Sequence, residues 1–346
     1  MRRQIVDPKR VYAEHVFGRC SVYLDTNAWS DLSETRTDAA RAAYDLALTA
    51  QSRGCAVFPL SYPTITELLK RDDNADSRRQ TELMDTLSSG VSLRGGTHVR
   101  DIEVMCAFDF MTQGVTTTRR SEMFTIIPCY ISDTSVEFPD GWTETEADGM
   151  LEKLLQNRPG LRFLQQQMRT ATFLENHEVT DEKYVREISR KRNDALDWAV
   201  DGSGKLSATK LRLEEHTFVF RKYILGNLPR LVGPSGMQMI VRNIENIVRK
   251  PGPAALRSVV ERMPSTWLSC EMNVHCTLSA KELTEKQDFY DHEHAALAVP
   301  YTDAFVTSDG GLLDLLRRVR ASDRYDCRLL RGLPALSDFL EKLLST

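Results

Sequence analysis

Four acidic residues stand at positions where alternating strands and helices could gather their side chains. Asp25 and Asp309 each end a short apolar run of the kind that forms a buried strand. Glu67 lies in the opening turns of a helical segment, and Asp291 heads another. Converging carboxylates would repel one another, and a divalent metal ion with oxygen ligands would remove that repulsion. The residue types therefore predict a divalent metal site.

The N-terminal part of the chain carries the elements that must position the first two acids. Its predicted elements are a strand at Ser21–Leu24, helices from Ala28 and over Asp38–Arg53, a strand at Cys55–Ser61 and a helix from Pro63. Strands and helices in alternation predict a parallel α/β sheet. Because strand carboxyl ends and the N-termini of the following helices share one edge of such a sheet, the acids are expected to meet there.

The same pattern resumes near the C-terminus. Its predicted elements are helix Asp291–Val299, strand Ala304–Ser308, helix Gly311–Val319, strand Cys327–Leu330 and helix Leu336–Leu344. Each α/β end is too short to be stable alone. We therefore expect one discontinuous α/β domain over 18–90 and 286–346, interrupted by a mainly helical insertion over 91–285.

The insertion has helical periodicity, with Pro or Gly at many joints. Its candidate helices are Val99–Met111, Glu144–Gln156, Leu161–Glu175, Asp181–Val200, Thr209–Leu228, Gly236–Arg249 and Ala254–Thr277. The segment Val115–Asp140 is rich in β-branched and turn residues, which fits either a hairpin or an ordered loop.

Two further aspartates flank the acidic positions. Asp303 lies six residues before Asp309, roughly 20 Å along an extended strand, so the two cannot share one metal ion. Asp303 is therefore placed at the opposite edge of the sheet, as a turn or capping carboxylate, with a functional role as the alternative. Asp288 lies one helical turn before Asp291 and could either cap the helix or hold water beside the metal.

Four segments resemble the acidic motifs of PIN-domain nucleases. They are Leu24-Asp25-Thr26-Asn27, Glu67-Leu68 on a helix, Asp291 with the His-Glu-His-Ala-Ala-Leu-Ala that follows it, and Val306-Thr307-Ser308-Asp309. Their order and their placement on strands or helices also agree with that family. The resemblance covers roughly 18–90 and 286–346, and it implies a PIN-like, three-layer Rossmann-like domain with a central parallel sheet.

The resemblance also implies an activity. It indicates an endoribonuclease that uses Mg²⁺ or Mn²⁺ to activate water and hydrolyse RNA phosphodiester bonds. The acidic quartet would be Asp25, Glu67, Asp291 and Asp309, which hold the metal. Asn27, with Thr307 or Ser308, would orient those carboxylates or the scissile phosphate. An enzyme of this type would suit a toxin, a defence effector or an RNA-processing role.

Other residues could contact metal or RNA. His294 lies one turn from Asp291 and is either a ligand or phosphate contact, or a buried or surface histidine. The basic residues of the insertion are either solvated helix faces or phosphate contacts; they are Arg190, Lys191, Arg192, Arg221 and Lys222. Nearby aromatic residues could stack on bases or form helical core; they are Trp198, Phe218, Phe220 and Tyr223.

Composition limits the remaining classes. The net charge of −4 excludes a globally basic nucleic-acid binder, although Lys and Arg outnumber Asp and Glu by 18 to 11 between Arg158 and Arg257. Seven dispersed cysteines without a Cys-x-x-Cys pair favour a reducing compartment over a disulfide framework, and Cys270, His275 and Cys276 favour burial over zinc binding. No apolar run is long enough for a signal core or membrane span, so a cytoplasmic protein without a membrane partner is expected.

Two other classes compete with a nuclease. A catalytically inactive PIN-like scaffold would bind RNA or a protein partner, and an inhibitor protein could also restrain an active enzyme; none of the four acids is lost, which favours activity. A phosphohydrolase of the haloacid dehalogenase type would need Asp-x-Asp after its first strand. Asp25-Thr26-Asn27 lacks the second aspartate.

Overall fold

The computed structural model describes part of the 346-residue chain, and the statements below concern that part. It covers residues 2–4, 7–70, 75–116, 119–126, 135–137, 141–147, 149–150, 161, 194, 199–200, 202, 205–233, 235, 237–238, 253–278 and 286–345. The candidate helices at 144–156, 161–175, 181–200 and 236–249 fall largely outside these ranges, as do Arg190, Lys191, Arg192 and Trp198.

The described strands, in chain order, are β1 (Arg2–Gln4), β2 (Cys20–Leu24), β3 (Ala56–Val57), β4 (Val91–Leu93), β5 (Phe124–Ile126), β6 (Ser135–Glu137), β7 (Ala304–Thr307) and β8 (Arg328–Arg331). The described helices begin with α1 (Pro8–Val11), α2 (Thr26–Glu34), α3 (Asp38–Ser52), α4 (Tyr62–Lys70), α5 (Ala75–Ser88) and α6 (Gly96–Gln113). They continue with α7 (Ala208–Val219), α8 (Pro253–Val260), α9 (Pro264–Leu278), α10 (Lys286–Ala298), α11 (Gly310–Arg318), α12 (Ala321–Tyr325) and α13 (Gly332–Leu344).

Four strands form a parallel sheet in the order β3-β2-β7-β8. β2 lies directly beside β7, with Tyr23 opposite Phe305 and Leu24 opposite Val306. The sequence therefore correctly predicts an α/β fold with a parallel sheet, and it correctly predicts strands in both ends of the chain. The two ends together build one sheet, because β2 and β3 come from the first half and β7 and β8 from the second.

Helices cover both faces of this sheet, because its strands are apolar on both sides. On one face Val22 and Leu24 of β2 pack with small alanines of α3, such as Ala43 and Ala47, and with Phe339 of α13. On the other face the apolar residues belong to a second cluster; they include Tyr23, Phe305, Val104, Leu268, Ala295 and Leu312, from β2, β7, α6, α9, α10 and α11. Alternate residues of each strand thus pack into two different hydrophobic cores, one on each face of the sheet.

Short strands extend the architecture beyond the predicted pattern. Leu60 pairs in parallel with Ser92 of β4, and β4 pairs in antiparallel fashion with β5. β6 pairs with β1 near the N-terminus, so the strands within Val115–Asp140 do not form a hairpin with each other. The predicted strand Cys55–Ser61 is shorter than expected, since only Ala56–Val57 is paired with β2.

Most predicted helices of the described part are present with shifted ends. The expected single helix Ala254–Thr277 is two helices, α8 and α9, because Pro264 begins a new first turn where its missing N–H has no cost. The expected helix Thr209–Leu228 contains a π-helical turn over Phe220–Leu225. No helix in the described ranges is both long and apolar enough to cross a membrane.

Candidate active site

Asp25 lies at the carboxyl end of β2 and is 2% exposed. Its Oδ1 accepts a hydrogen bond of 2.7 Å from the backbone N–H of Ala28, which caps helix α2. Its Oδ2 is buried and has no hydrogen-bond partner among the described residues. Burial raises the pKa of Asp25, and the nearby hydroxyl of Thr307 opposes that rise. An unpartnered buried carboxylate oxygen is a candidate ligand atom.

Asp309 lies beside Asp25 because β7 is the neighbour of β2. Its Oδ1 accepts hydrogen bonds from the N–H groups of Gly311 (2.6 Å) and Leu312 (3.1 Å), which cap helix α11. The backbone N–H of Asp309 donates to the hydroxyl of Thr307 at 3.0 Å. Thr307 is fully buried, and its hydroxyl therefore contacts Asp309 and lies close enough to Asp25 to influence its pKa.

Glu67 reaches the same edge from helix α4. Its Oε2 accepts a hydrogen bond from the hydroxyl of Thr26 and lies 3.2 Å from Nε2 of His294. His294 is 1% exposed, and its other ring nitrogen bonds the hydroxyl of Tyr23. Burial strongly raises the pKa of Tyr23, so this residue is a neutral phenol. Glu67 is thus held directly by Thr26 of α2 and His294 of α10, and His294 is in turn held by Tyr23 of β2.

Asp291 completes the quartet from helix α10, which packs against α4. The prediction that Asp291 heads this helix is wrong, because α10 begins at Lys286 and Asp291 lies in its second turn. Burial raises the pKa of Asp291 to about 7, with His294 acting in the opposite direction and the charges of Asp25, Asp309 and Glu67 adding to the rise. The four predicted acids therefore lie within electrostatic reach of one another. Repulsion among them is the physical signature expected of a site built for a cation.

The acids surround the sheet edge without forming a closed ligand shell. Among the described residues, no three His, Cys, Asp or Glu side chains lie close enough together to hold a metal ion as they stand. The donor set nevertheless fits Mg²⁺ or Mn²⁺ in its chemistry, because it consists of carboxylate oxygens. The buried Oδ2 of Asp25 is the specific atom that still needs a partner.

The supporting residues divide between the two edges of the sheet. Asn27 is exposed next to Asp25. The hydroxyl of Ser308 donates to Asp31 of α2 at 3.2 Å, so it points away from Asp309. Asp288 lies on α10, and its side chain falls outside the described residues.

Asp303 lies at the opposite edge of the sheet, where the strand length predicts it. Its Oδ2 accepts hydrogen bonds of 2.7 Å from both the backbone N–H and the hydroxyl of Ser21. Its Oδ1 pairs with Arg120 at 2.8 Å. These contacts tie the start of β2 to the residue before β7, which is a structural task.

The described basic and aromatic residues of the insertion pack with each other. Nζ of Lys222 lies 4.9 Å from the ring centre of Phe218 and 5.6 Å from that of Tyr223. Phe220 is buried, whereas Arg221 is exposed on the same π-helical turn. Phe220 and Tyr223 contribute to the core rather than to an open stacking platform.

The cysteines and histidine near the end of α9 are also largely buried. Cys270 and Cys276 are buried free thiols, and Sγ of Cys276 lies 3.8 Å from Nε2 of His292. Burial lowers the pKa of His275. In the part of the chain that the structure describes, these groups form no zinc site.

Sequence reasoning missed Arg331, which ends β8 at the acidic edge. Its guanidinium lies beside Gly310, the residue after Asp309, and its side chain forms no ion pair or hydrogen bond with a described residue. Tyr23 and Asp31 were missed as well. A signal for Arg331 existed, because the last residue of each parallel strand shares the edge that ligands use.

Comparison of the chain with family models, curated protein sequences and solved structures gave no match.

Proposed function

We propose that this protein is a divalent-metal-dependent endoribonuclease with a PIN-like catalytic domain and a mainly helical insertion. The observation that carries the proposal is the buried Oδ2 of Asp25, which has no hydrogen-bond partner among the described residues and lies at an edge shared with three other acids. A purely structural aspartate would have its second oxygen hydrogen-bonded or exposed to water. A metal ion supplies the missing partner.

The residues that would hold the ion are Asp25, Glu67, Asp291 and Asp309. Asp25 and Asp309 follow adjacent strands and are fixed by helix-capping bonds, so each keeps one oxygen engaged and one available. Glu67 is oriented by Thr26 and His294. The acids are thus oriented before the metal ion binds, which lowers the entropic cost of binding.

When bound, Mg²⁺ or Mn²⁺ lowers the pKa of water and offsets the negative charge that develops on the scissile phosphate. Attack of water on phosphorus with cleavage of the bond to the 3′ oxygen leaves a 5′-phosphate and a 3′-hydroxyl. Arg331, which has no carboxylate partner within the described part of the chain, would bind a phosphate of the RNA. Burial raises the pKa of Asp25, and the hydroxyl of Thr307 would oppose that rise and so favour the ionised carboxylate.

The acidic edge also supports the resemblance to PIN-domain nucleases. The parallel order β3-β2-β7-β8, with acids after the two central strands and on two helices, is the arrangement that the four motifs imply. The insertion enters between α5 and α10, so it is well placed in the chain to shape access to RNA.

The test uses the purified full-length chain with a 5′-labelled mixed-sequence RNA and a matched single-stranded DNA. Each is incubated with Mg²⁺, Mn²⁺ or EDTA. Asp25→Asn and Asp291→Asn should each abolish RNA cleavage while circular dichroism stays unchanged. Asp314→Asn is the matched control, because Asp314 is an exposed aspartate of α11 whose one ion pair among the described residues is with Arg317.

Equal cleavage by the wild type and both acidic-site variants would exclude this site, and no cleavage under any metal would exclude the nuclease. RNA binding without cleavage would instead support the rival function, a catalytically inactive PIN-like scaffold. End-group analysis of the products checks the chemistry. Products with 2′,3′-cyclic ends would contradict hydrolysis by water.

A further inference from the structure

A buried chain of polar groups runs from the core of the sheet to the acidic edge. Tyr23 is fully buried on β2, and its hydroxyl contacts Ser61 Oγ at 2.5 Å, Thr64 Oγ1 at 3.0 Å and Nδ1 of His294. The opposite ring nitrogen, Nε2 of His294, lies 3.2 Å from Oε2 of Glu67. This series of polar groups therefore ends on Glu67, one of the proposed metal ligands.

The neighbours of Nε2 determine which nitrogen of His294 carries the hydrogen. Oε2 of Glu67 belongs to a carboxylate, which only accepts hydrogen bonds when ionised. The hydroxyl of Thr26, 3.4 Å from Nε2, already donates its hydrogen to Glu67 and so presents a lone pair to the ring. Both neighbours are acceptors, and Nε2 is therefore the protonated nitrogen.

The opposite side of the ring is consistent with this tautomer. A neutral imidazole protonated at Nε2 has a lone pair at Nδ1, which accepts the hydrogen of the Tyr23 hydroxyl. The Tyr23 oxygen can then accept hydrogens from Ser61 and Thr64, which lie 3.1 Å apart. Every hydrogen in this series of hydrogen bonds has an acceptor. The bonds run in one direction, from Ser61 and Thr64 through Tyr23 and His294 to Glu67.

The aromatic ring of Tyr23 is fixed independently of its hydroxyl. It stacks on Phe305 of β7 with ring centres 5.7 Å apart and planes inclined by 5°. A phenylalanine at position 23 would keep this packing and lose only the hydroxyl. The buried hydroxyl thus has a task that apolar packing does not require.

We propose that Tyr23 and His294 are positioning residues that hold the carboxylate of Glu67 in its orientation as a metal ligand, because the hydroxyl of Tyr23 imposes the Nε2-protonated tautomer on His294. The inference rests on the proposed metal-dependent function, since it concerns a ligand of that site. Without the hydroxyl of Tyr23, the ring could place its hydrogen on Nδ1 and present a lone pair to Glu67. That arrangement would repel the carboxylate and displace it.

The first measurement is made on the metal-free, full-length protein. Histidine ¹⁵N chemical shifts distinguish the two neutral tautomers from the imidazolium, and His294→Gln identifies the His294 signals among those of the seven histidines. We expect Nε2 of His294 to be protonated and Nδ1 to be bare. A hydrogen on Nδ1, in either the other tautomer or the imidazolium, would overturn the proposal.

The second measurement is Mn²⁺ affinity, measured by calorimetry, with kcat and KM for RNA determined alongside. Groups that orient metal ligands typically change affinity by about 10- to 100-fold when removed. We expect His294→Ala to weaken Mn²⁺ binding at least tenfold. His294→Gln should recover most of the loss, because its amide N–H can still donate to Glu67. Tyr23→Phe should weaken binding about threefold to tenfold.

In saturating Mn²⁺ each variant should lower kcat and leave KM for RNA within about twofold, because neither residue touches the substrate. His216→Gln is the control for loss of a buried imidazole, since His216 is 3% exposed on helix α7 of the insertion. It should leave Mn²⁺ affinity unchanged. Thermal unfolding of each variant separates a folding defect from a change at the site.

The outcomes distinguish a failure of the positioning role from a failure of the proposed metal-dependent function. If the wild type neither binds Mn²⁺ nor cleaves RNA, the proposed function fails and this inference fails with it. Suppose instead that the wild type binds Mn²⁺ and cleaves RNA, but His294→Ala and His294→Gln bind Mn²⁺ with the same affinity as each other. The proposed function then stands, and only the positioning role of His294 is wrong. If Tyr23→Phe leaves the tautomer and the affinity unchanged, Tyr23 has no part in it.

Discussion

The guanidinium of Arg331 lies directly over the backbone of Gly310. A Cβ added at Gly310 would lie 3.3 Å from Nη2 and 3.6 Å from Cζ of Arg331, so the close approach depends on the missing side chain. Gly310 follows Asp309 and opens helix α11. This contact places a cation next to an acid of the proposed active site, at a helix N-terminus that also favours anions.

Replacing Arg331 should weaken the binding of RNA much more than it slows the chemical step. We expect Arg331→Ala to raise KM about fivefold to tenfold, since an exposed charge-assisted contact to phosphate contributes roughly 1 kcal/mol. The loss should be similar for RNAs of different sequence, because a phosphate carries no base information. The slope of log affinity against log salt should become shallower by about 0.7 to 0.9 for one lost phosphate contact.

Arg317→Ala is the matched control for that prediction. Arg317 is an exposed arginine of α11 that pairs with Asp314 at 3.0 Å. Its removal should leave both KM and the salt slope unchanged. An equal effect of the two substitutions would mean that Arg331 contributes only to the overall positive charge of the protein and makes no specific contact with a phosphate.

Thr307 and Ser308 should differ sharply, although the sequence makes them equal candidates. Thr307→Val removes the buried hydroxyl that lowers the pKa of Asp25 and accepts the N–H of Asp309. We expect Mn²⁺ affinity to fall about tenfold and the free energy of unfolding to fall by about 1 kcal/mol. Ser308→Ala removes only an exposed bond to Asp31, so both quantities should stay unchanged.

The metal-free protein should lose stability as the pH rises. Burial raises the pKa of Asp291 from 3.8 to about 7 in the folded state, with His294 opposing and the other acids adding to the rise. Between these two values the folded state holds a proton that the unfolded chain has released. The free energy of unfolding therefore falls as pH increases through that window.

Urea denaturation at pH 5 and pH 8 in EDTA measures that fall directly. Asp291→Asn cannot ionise, so its decline should be shallower than that of the wild type. Mn²⁺ should stabilise the wild type more at pH 8 than at pH 5, because metal and proton compete for the same carboxylates. Identical pH dependence of wild type and variant would place the titrating group elsewhere.

The sequence sufficed to predict where the acids meet, for a physical reason. β2 and β7 are buried, largely apolar runs, Asp25 directly follows β2 and Asp309 lies two residues after the end of β7, and parallel strands bring their carboxyl ends to one edge. The position of Asp303 also followed, because the rise of a strand excludes it from that edge. Local pattern and sheet geometry were enough for these positions.

Contacts between distant segments could not be predicted in the same way. Nothing near His294 indicates that its partner is Glu67, which lies 227 residues away in the sequence. Tyr23 has the pattern of an ordinary core aromatic, and only the fold shows that its hydroxyl faces a histidine. The strand β4 is three residues long and depends on pairing with β5, so its local sequence gives little signal.

Glu103 offers a test that separates acids needed for folding from acids needed for function. This residue of α6 is fully buried inside the insertion, where it accepts hydrogen bonds from Ser265 N–H (2.6 Å), from the hydroxyl of Thr266 (2.7 Å) and from the hydroxyl of Tyr301. It therefore caps α9 and joins the insertion to the loop before β7. Its carboxylate is satisfied, unlike that of Asp25.

Glu103→Gln should destabilise the fold and leave the site intact. The amide replaces one acceptor oxygen with a donor that faces other donors, so we expect a loss of about 2–4 kcal/mol in the free energy of unfolding. Urea denaturation measures this loss, and Mn²⁺ calorimetry below the transition should give a Kd within about twofold of the wild type. Asp25→Asn should show the reverse, because it removes a ligand oxygen and relieves an unpaired buried charge. A large loss of Mn²⁺ affinity in Glu103→Gln would mean that the insertion helps to hold the acidic edge in place.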